Sequence, residues 1–266
     1  MATLMRDHAG WIATLSGTHR VMRSGPIVWH LAWYGTPGQL VITPAGNPAD
    51  ARPVVDELIV PARPKPWPAA LTTALAGLGP VLRVRNADLW DAIGTAIIRQ
   101  VIRADQARQM YARFCQAHGE QVDTPHGPQH LFPAPELVAG LGQAAFADLG
   151  MRFKHPALTA AATAYLTNAD GWKMLPPIAL VAALQMVPRI GPWTAGAAAA
   201  DHTGDFALYP YADLAVRTWA RRAAPGTLWP DQEPDFAAHW KEVTGPDLSA
   251  LTALILAWGD AHVRAP

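Results

Sequence analysis

The spacing of apolar residues changes about a third of the way along the chain. Near the N-terminus, short β-rich runs at 27–33 and 39–42 flank turn-forming residues at 35–38, which predicts a β-hairpin. From residue 89 onward, apolar side chains recur every four positions, the period of one face of an α-helix. The pattern therefore predicts a mainly α-helical protein with a small N-terminal β-sheet.

A proline-dense segment separates the two patterns. Residues 61–68 are too rich in proline for a helix or a central strand, because proline lacks the amide hydrogen and restricts the residue before it. This linker predicts two domains, a small β-rich domain over residues 1–67 and an all-α domain over residues 68–266. Within the second domain, alanine- and leucine-rich stretches bounded by proline or glycine predict helices at 157–166, 178–187, 194–200, 214–223 and 248–258.

The composition supports a soluble globular protein. Of the 266 residues, 50% are hydrophobic and 16% are charged, which is enough apolar material for a substantial core. No apolar stretch is long enough to span a membrane, and charged residues near the start interrupt any signal-peptide pattern. We therefore expect a cytoplasmic protein without a membrane partner.

Cysteine, histidine and net charge narrow the chemistry further. The single cysteine, Cys115, excludes an intramolecular disulfide and is expected in the core. The ten histidines never show the His-x-x-x-His spacing with carboxylates on a predicted helix face, so we expect no metal site made by side chains, and no cofactor. Because the net charge is zero, any contact with nucleic acid must depend on local patches.

A tight turn between two helices is predicted at residues 184–195. The first helix stops at Pro188, the chain turns through Gly191, and the second helix starts at Pro192. The first amide groups of the second helix then have no helical partner and lie at the positive end of its dipole, which suits a phosphate. Taken alone, such a turn is more often simple packing between two helices.

Asp213 stands immediately before the predicted helix at 214–223. An aspartate in this position commonly accepts hydrogen bonds from the first amides of the helix as its N-cap. A reacting carboxylate is the alternative, and the two roles are compatible.

Taken together, residues 190–195 and 209–214 resemble the helix-hairpin-helix and catalytic aspartate of the 3-methyladenine DNA glycosylase II type, within the helix-hairpin-helix DNA glycosylase superfamily. Residues 88–102 are similar to the family's helix that probes the DNA strand, and residues 131–137 to its Phe-Pro-x-Pro-Glu loop. The resemblance covers residues 87–258. It implies a helix-hairpin-helix glycosylase bundle. The β-rich residue pattern at the start of the chain is also similar to that of the family's N-terminal sheet domain.

The resemblance implies a monofunctional DNA glycosylase of base excision repair. Such an enzyme hydrolyses the N-glycosidic bond of an alkylated base, here expected to be a cationic N3- or N7-alkylpurine, after the base has flipped out of duplex DNA. Asp213 would stabilise the positively charged sugar and orient or deprotonate the attacking water. Trp193 stands where bifunctional relatives carry a Schiff-base lysine, which implies water as the nucleophile. The partner would be double-stranded DNA with a damaged base, bound by a monomer.

The same resemblance assigns the residues that hold DNA. At the hairpin they are Arg189, Ile190, Gly191, Pro192 and Thr194, together with a monovalent cation that the family often holds at the hairpin backbone. Val101 falls at the position of the wedge that enters the duplex, with Gln100 beside it. Core packing for Val101 and an ordinary surface position for Gln100 are the alternatives.

Three departures from the family pattern concern the hairpin and the base pocket. Arg189 replaces the first glycine of the usual Pro-Gly-Ile-Gly hairpin, so its side chain would add a phosphate contact or the hairpin would be distorted. Asp247 and Ala197 stand where relatives carry aromatic residues, while Trp193 can still stack on a base. These residues predict a wider and more negative pocket that prefers cationic alkylpurines to hypoxanthine.

Two other functions fit the same residues. One is a DNA-binding or lesion-sensing module that has kept the fold and lost catalysis, as Arg189, Asp247 and the zero net charge permit. The other is a glycosylase for bulky natural-product adducts, which a roomier pocket would admit. Release of free base from damaged duplexes distinguishes these hypotheses.

Overall fold

The computed structural model describes residues 1–36, 38–45, 51–62 and 67–263, and about half of the chain is helical. The strands are β1 (Thr3–Leu4), β2 (Ile12–Thr14), β3 (Gly17–Ser24), β4 (Ile27–Tyr34), β5 (Gln39–Pro44), β6 (Val55–Leu58), β7 (Val81–Val84), β8 (Gln121–Thr124) and β9 (Gly127–His130). The helices are α1 (Ala69–Ala76), α2 (Leu89–Arg99), α3 (Ala104–His118), α4 (Pro135–Gly140), α5 (Gln143–Asp148), α6 (His155–Lys173), α7 (Pro177–Gln185), α8 (Pro192–Thr203), α9 (Leu214–Ala223), α10 (Glu233–Thr244) and α11 (Leu248–Val263). Among the residues described, no helix has the length and apolarity that crossing a membrane requires.

The predicted hairpin is confirmed as β4 and β5, and it belongs to a larger sheet. Strands β2, β3, β4 and β5 form an antiparallel sheet in that order. One face of this sheet buries Met22, Trp29, Leu31 and Trp33 in an apolar cluster. The period-2 alternation of β4 gives it this buried face, whereas the more polar β3 did not stand out in the sequence.

A second sheet crosses the predicted domain boundary. Strand β7 pairs in parallel with β1 and antiparallel with β6, although it lies on the C-terminal side of the division at residue 67. Strands β8 and β9 form another hairpin in the region expected to be all-α. The expectation that residues 68–266 contain only helices is therefore wrong, because these four-residue strands are too short to show a period of their own. The division into two domains stays a prediction, and part of the predicted linker, residues 63–66, lies outside the described residues.

Helices α2 and α8 form the centre of the helical part. Both are buried around most of their circumference and pack against each other, with α8 contributing a run of alanines from Ala197 to Ala200. The five predicted helices are confirmed as α6, α7, α8, α9 and α11, and Cys115 is buried as expected. A helix that is apolar on all sides can only lie inside a protein, so the position of α8 follows from its composition.

The Phe-Pro-x-Pro-Glu segment packs directly against α2. The indole Nε1 of Trp90 donates a hydrogen bond to the carbonyl oxygen of Pro133 at 2.7 Å. The ring of Phe132 lies over Gly94, where any Cβ atom would stand only 2.2 Å from the ring. These contacts hold the 131–137 segment against the side of α2 that carries Trp90 and Gly94.

A buried polar network joins α2 to the N-terminal strands. Asp91 accepts hydrogen bonds from Arg20 of β3 at 3.2 Å and from the Tyr111 hydroxyl at 2.8 Å, and His8 Nε2 lies 3.2 Å from its carboxylate. Although burial by itself raises the pKa of the Asp91 carboxyl, the charges of His8 and Arg20 hold it well below its usual range. Asp91 is therefore ionised and paired inside the protein, which a buried charge requires.

The loop that precedes α9 approaches α8 at Gly196. A Cβ atom at this glycine would lie 2.4 Å from the carbonyl oxygen of Leu208, which is closer than real Cβ atoms come. The absence of a side chain at Gly196 therefore allows the loop with Tyr209 and Asp213 to lie against α8.

We predict that Gly196→Ala lowers the free energy of unfolding by about 1–3 kcal/mol, because the loop backbone must move to admit a methyl group. Gly171→Ala is the matched control, since a Cβ atom at Gly171 meets no atom within 4 Å and alanine favours a helix by up to about 1 kcal/mol. Urea unfolding of both variants measures the effect. Equal or greater stability of Gly196→Ala would show that the close approach is unimportant.

Candidate active site

Two adjoining cavities lie beside the C-terminal end of α2. The inner cavity has a volume of about 160 Å³ and the outer one, which is more open, about 1200 Å³. Residues that line both cavities are Arg99, Ala104, Ala107, Tyr209, Ala215 and Trp219. The shared lining residues form the wall between the two cavities.

Asp213 lies half-buried in the outer cavity at the N-cap of α9. Its Oδ1 accepts a hydrogen bond from the amide of Leu214 at 2.7 Å, and its Oδ2 accepts one from the Tyr209 hydroxyl at 3.0 Å. A typical N-cap side chain accepts from the second or third amide of the helix instead. Asp213 thus occupies the cap position while its second oxygen is held toward the cavity by Tyr209.

Tyr209 is a site residue that the sequence did not single out. Its side chain is 3% exposed, and burial raises the pKa of its hydroxyl well above the usual value. The hydroxyl is therefore protonated and donates to Asp213 across the physiological pH range. The only signal in the sequence is the position of Tyr209, four residues before the aspartate in the quoted motif.

The hairpin between α7 and α8 has the predicted form. The amide of Ile190 donates to the carbonyl oxygen of Val187 at 3.1 Å, and no side chain caps the N-terminus of α8. Gly191 is exposed, and a Cβ atom there would meet nothing within 4 Å. The start of α8 therefore opens on free space, as an anion site requires.

The predicted hairpin residues divide into inward and outward groups. Arg189, Gly191 and Pro192 are exposed, whereas the side chains of Ile190 and Thr194 are buried. Ile190 and Thr194 therefore present only their backbone to the outside, since the Ile190 side chain belongs to the core and the Thr194 hydroxyl accepts a hydrogen bond from Gln100.

Arg189 adopts a left-handed backbone conformation with a φ of 69°. This conformation favours glycine, the residue that the hairpin pattern named in the sequence analysis has at this position. The hairpin forms although residue 189 is arginine and not glycine, so the backbone at Arg189 is locally strained. The Arg189 side chain is exposed at the surface.

Val101 projects from the loop that follows α2. Its side chain is 101% exposed and its φ is 59°, so the alternative of core packing is wrong. A β-branched residue is rarely found in this region of backbone conformation. Such strain is characteristic of functional positions.

Gln100 links the Val101 loop to the hairpin. Its Nε2 donates to the Thr194 hydroxyl at 2.6 Å and to the carbonyl oxygen of Arg189 at 3.3 Å. Gln100 is half-buried, and these two hydrogen bonds tie its side chain to the hairpin. The Val101 loop and the hairpin form one connected surface.

Lys154 holds the same loop from the inside. Its ammonium group donates to the carbonyl oxygens of Ile97 at 2.8 Å and Gln100 at 2.7 Å. Burial lowers the pKa of Lys154 to about 8. Lys154 thus closes the C-terminal end of α2 with a hydrogen-bonding group that stays mostly charged at neutral pH.

Comparison with known proteins assigns this arrangement to a fold. No protein-family model matches the chain, and no curated protein is significantly similar in sequence. Solved structures do match over nearly the whole chain. The 3-methyladenine DNA glycosylase from Archaeoglobus fulgidus matches with a TM-score of 0.66 and 16% identity, over 97% of this chain and 91% of that one.

Two further solved structures are similar to this chain over nearly its whole length. MBOgg1 in complex with a low-affinity DNA ligand has a TM-score of 0.68 at 12% identity, over 98% of this chain and 91% of that one. The 8-oxoguanine glycosylase/lyase of Clostridium acetobutylicum, in complex with DNA, has a TM-score of 0.65 at 13% identity, over 96% and 88% of the two chains. The chain has the helix-hairpin-helix DNA glycosylase fold.

Within this glycosylase fold, the predicted aromatic gap in the pocket is filled from another helix. Trp193 lines the outer cavity and Ala197 lines the inner one, as predicted. Trp219 of α9 lines both, and its ring lies against Gly259 of α11, where a Cβ atom would be only 2.3 Å away. The outer cavity therefore has two indole side chains in its wall, Trp193 and Trp219, and the inner cavity has Trp219.

Asp247 does not belong to the pocket wall. It lies in a short 3-10 turn before α11 and is absent from the lining of both cavities. The prediction that Asp247 makes the pocket more negative is therefore wrong. The assignment failed because the match to the family around residue 247 is poor.

The charges that do line the inner cavity are largely balanced. Asp7 and Asp201 are both paired with Arg83, at 3.3 and 2.8 Å, and Asp260 is paired with Arg6 at 3.0 Å. These pairs leave little uncompensated negative charge around the cavity.

Arg99 adds a positive charge where the two cavities join. Its guanidinium carbon lies 5.9 Å from the centre of the Trp193 ring. Burial acts to lower the pKa of Arg99, but the nearby carboxylates of Asp7, Asp201 and Asp213 raise it above its usual value. A base that entered the inner cavity would therefore meet a permanently charged hydrogen-bond donor.

We predict that Val101→Gly stabilises the protein by about 1 kcal/mol, because glycine adopts a positive φ without strain. Val101→Ala is the control, since it shortens the side chain and keeps a Cβ atom in the left-handed region. Thermal unfolding of both variants should give a higher Tm for the glycine variant. A lower Tm for Val101→Gly than for Val101→Ala would show that the backbone at residue 101 is unstrained.

Proposed function

We propose that this chain is a monofunctional DNA glycosylase of base excision repair, which hydrolyses the N-glycosidic bond of an alkylated base flipped out of duplex DNA. The observation that carries the proposal is the Asp213 carboxylate, held by Tyr209 at the mouth of a cavity beside an uncapped helix-hairpin-helix. The inner cavity resembles in volume an engineered cavity of roughly 150 Å³ that binds benzene, so it can hold one ring of a base.

In the proposed reaction, the bond between the sugar C1′ and the base nitrogen breaks and its electron pair leaves with the base. The sugar gathers positive charge, which the Asp213 carboxylate stabilises at short range. Water then attacks C1′ and passes a proton to Asp213. Tyr209 acts as a positioning residue, because its hydroxyl donates to Oδ2 while the Leu214 amide donates to Oδ1, and each oxygen can still accept a further hydrogen bond from water.

Water is the proposed nucleophile because the site offers no amine. By the sequence resemblance Trp193 stands where bifunctional relatives carry the Schiff-base lysine, and no lysine lines either cavity within the described residues. Lys154, which is close in space to the end of α2, already donates to two backbone carbonyls. A covalent amine intermediate is therefore not part of the proposal.

DNA is the proposed partner, held by the hairpin and the Val101 loop. The amides at the start of α8 would bind a backbone phosphate, and the exposed Arg189 would add a second contact. A monovalent cation, if bound, would be held by hairpin carbonyl oxygens and would add positive charge beside the phosphate. The exposed Val101 side chain would fill the gap left by the flipped base.

The proposed lesion is an alkylated purine, with cationic N3- and N7-alkylpurines preferred. The support is the indole rings of Trp219, which lines both cavities, and of Trp193, which lines the outer one, because an electron-poor base can stack on either. A cationic base also leaves easily, because its charge is neutralised as the bond breaks. Arg99 opposes this preference, so it is expected to limit the discrimination between cationic and neutral bases.

We predict that Asp213→Asn keeps the fold, because asparagine caps a helix about as well as aspartate, and slows excision by about 10²- to 10⁴-fold. Single-turnover release of 7-methylguanine from duplex DNA measures the effect, with Asp235→Asn on the exposed first turn of α10 as control. Near wild-type excision by Asp213→Asn would refute the catalytic assignment.

The same assay tests the wider proposal. Strands should break only after alkali, and borohydride should trap no protein on DNA. Tight binding of damaged duplex without base release by the wild-type chain would favour the lesion-sensing alternative, and release of bulky N7 adducts alone would favour the natural-product alternative.

We predict that Arg99→Gln increases the ratio of 7-methylguanine to hypoxanthine excision by about tenfold. Two unit charges about 6 Å apart repel by roughly 1–3 kcal/mol at an effective dielectric constant near 20, and the substitution removes that repulsion. Arg103→Gln is the control, because Arg103 is an exposed residue of the outer cavity and its loss should affect both lesions alike. An unchanged ratio in Arg99→Gln would exclude Arg99 from base selection.

A further inference from the structure

Three histidines from distant parts of the chain meet at the N-terminal sheet, away from the Asp213 cavities. They are His19 of β3, His30 of β4 and His126 of the turn between β8 and β9. Their ligand nitrogens all lie within 4.8 Å of one another. His19 and His30 are buried, at 0% and 6% exposure, and His126 is half-buried.

The sheet register places two of these rings together. His19 pairs with Ala32 and His30 pairs with Val21, so the two histidines are diagonal neighbours on one face of the sheet. This face is opposite to the one that buries Met22 and Trp29. The rings of His19 and His30 are stacked with their centres 5.6 Å apart.

The third ring, that of His126, lies on the β8–β9 hairpin. Val122 and Leu131 pack against Val21, which holds the hairpin over the sheet. The His126 ring then lies 3.6 Å from that of His19, centre to centre. The three side chains therefore converge because of tertiary packing, and their spacing in the sequence gives no sign of it.

Two of the rings have unmet hydrogen-bonding capacity. Among the described residues, the buried His19 Nδ1 and His30 Nε2 have no hydrogen-bond partner. A buried polar atom without a hydrogen-bond partner is costly unless something binds it.

We propose that His19, His30 and His126 bind a divalent transition-metal ion, with Zn²⁺ as the chemically best match. Neutral imidazole is a preferred ligand of zinc, with Zn–N distances near ~2.0–2.1 Å, and three histidines with one further position form a known zinc ligand set. The nitrogens must draw together by roughly an ångström to reach this geometry. His126, which lies on a turn at the protein surface, is the ligand best able to move.

Neighbouring hydroxyl groups complete the site. The Tyr34 hydroxyl lies 3.3 Å from His126 Nε2, and the Ser16 hydroxyl lies 3.3 Å from His126 Nδ1 and 3.4 Å from His19 Nε2. Hydroxyls in such positions orient metal-binding imidazoles, and water or Tyr34 could supply the fourth ligand.

The metal would act as a structural link between the N-terminal sheet and the β8–β9 hairpin. The segment that follows this hairpin carries Phe132, which packs over Gly94 of α2. The site is independent of the proposed glycosylase reaction, because none of the three histidines lines the two cavities beside Asp213.

The test is zinc binding by the full-length chain after treatment with a chelator. Titration with Zn²⁺ in competition with a chromogenic zinc chelator should show one site, and His126→Ala should weaken it on the order of 100-fold or more, since even the loss of a supporting residue costs 10- to 100-fold. Zinc should also raise the Tm of the wild-type chain and leave that of His126→Ala unchanged, because ligand binding to the folded state stabilises it.

Two controls make the result decisive. His262→Ala removes an exposed histidine that stacks on Trp258, and it should bind zinc like the wild-type chain. His30→Ala provides a second variant of the site in case His126 is dispensable. Wild-type affinity no higher than that of both site variants, or an equal zinc-induced rise of Tm in all variants, would overturn the proposal.

Discussion

The buried polar network around Asp91, which contains the Arg20–Asp91 ion pair, is the interaction on which the rest of the structure depends. Arg20 and His8 come from the N-terminal region, while Asp91 belongs to α2, so this network fixes the central helix against the sheet. Removing one partner of such a pair typically costs about 3–5 kcal/mol, because the other charge stays buried without compensation. The position of α2 in turn determines where Arg99, Gln100 and Val101 emerge at its C-terminal end.

Small residues on α8 allow the remaining parts of the site to approach. Ala197 leaves room for the inner cavity, and Gly196 lets the loop with Tyr209 pass close to the helix. Packing at this density admits no extra methyl group without movement of the backbone. The small side chains of α8 therefore determine how closely the loop that carries Asp213 lies to this helix.

The two strained residues lie on the surface that this packing supports. Val101 and Arg189 both have positive φ values, and Gln100 hydrogen-bonds to the carbonyl oxygen of Arg189 while preceding Val101 in the chain. Local strain persists only where the surrounding structure determines the conformation, and it is concentrated at functional sites.

The fold alone does not select a lesion, since its structural neighbours include both 3-methyladenine and 8-oxoguanine glycosylases. In the proposed glycosylase, lesion selection would come from cavity residues such as Arg99 and Trp219.

The sequence by itself determined the local elements of this protein: the β4–β5 hairpin, five of the helices, the turn from Pro188 to Pro192, and the place of Asp213 before α9. Each depends on short-range periodicity or turn chemistry, which a few neighbouring residues carry. Only the tertiary structure decided that Tyr209, Arg99 and Trp219 line the cavities, that Asp247 does not, and that three histidines converge on the sheet. These arrangements join residues far apart in the chain, so they depend on helix packing and strand register, which no local pattern encodes.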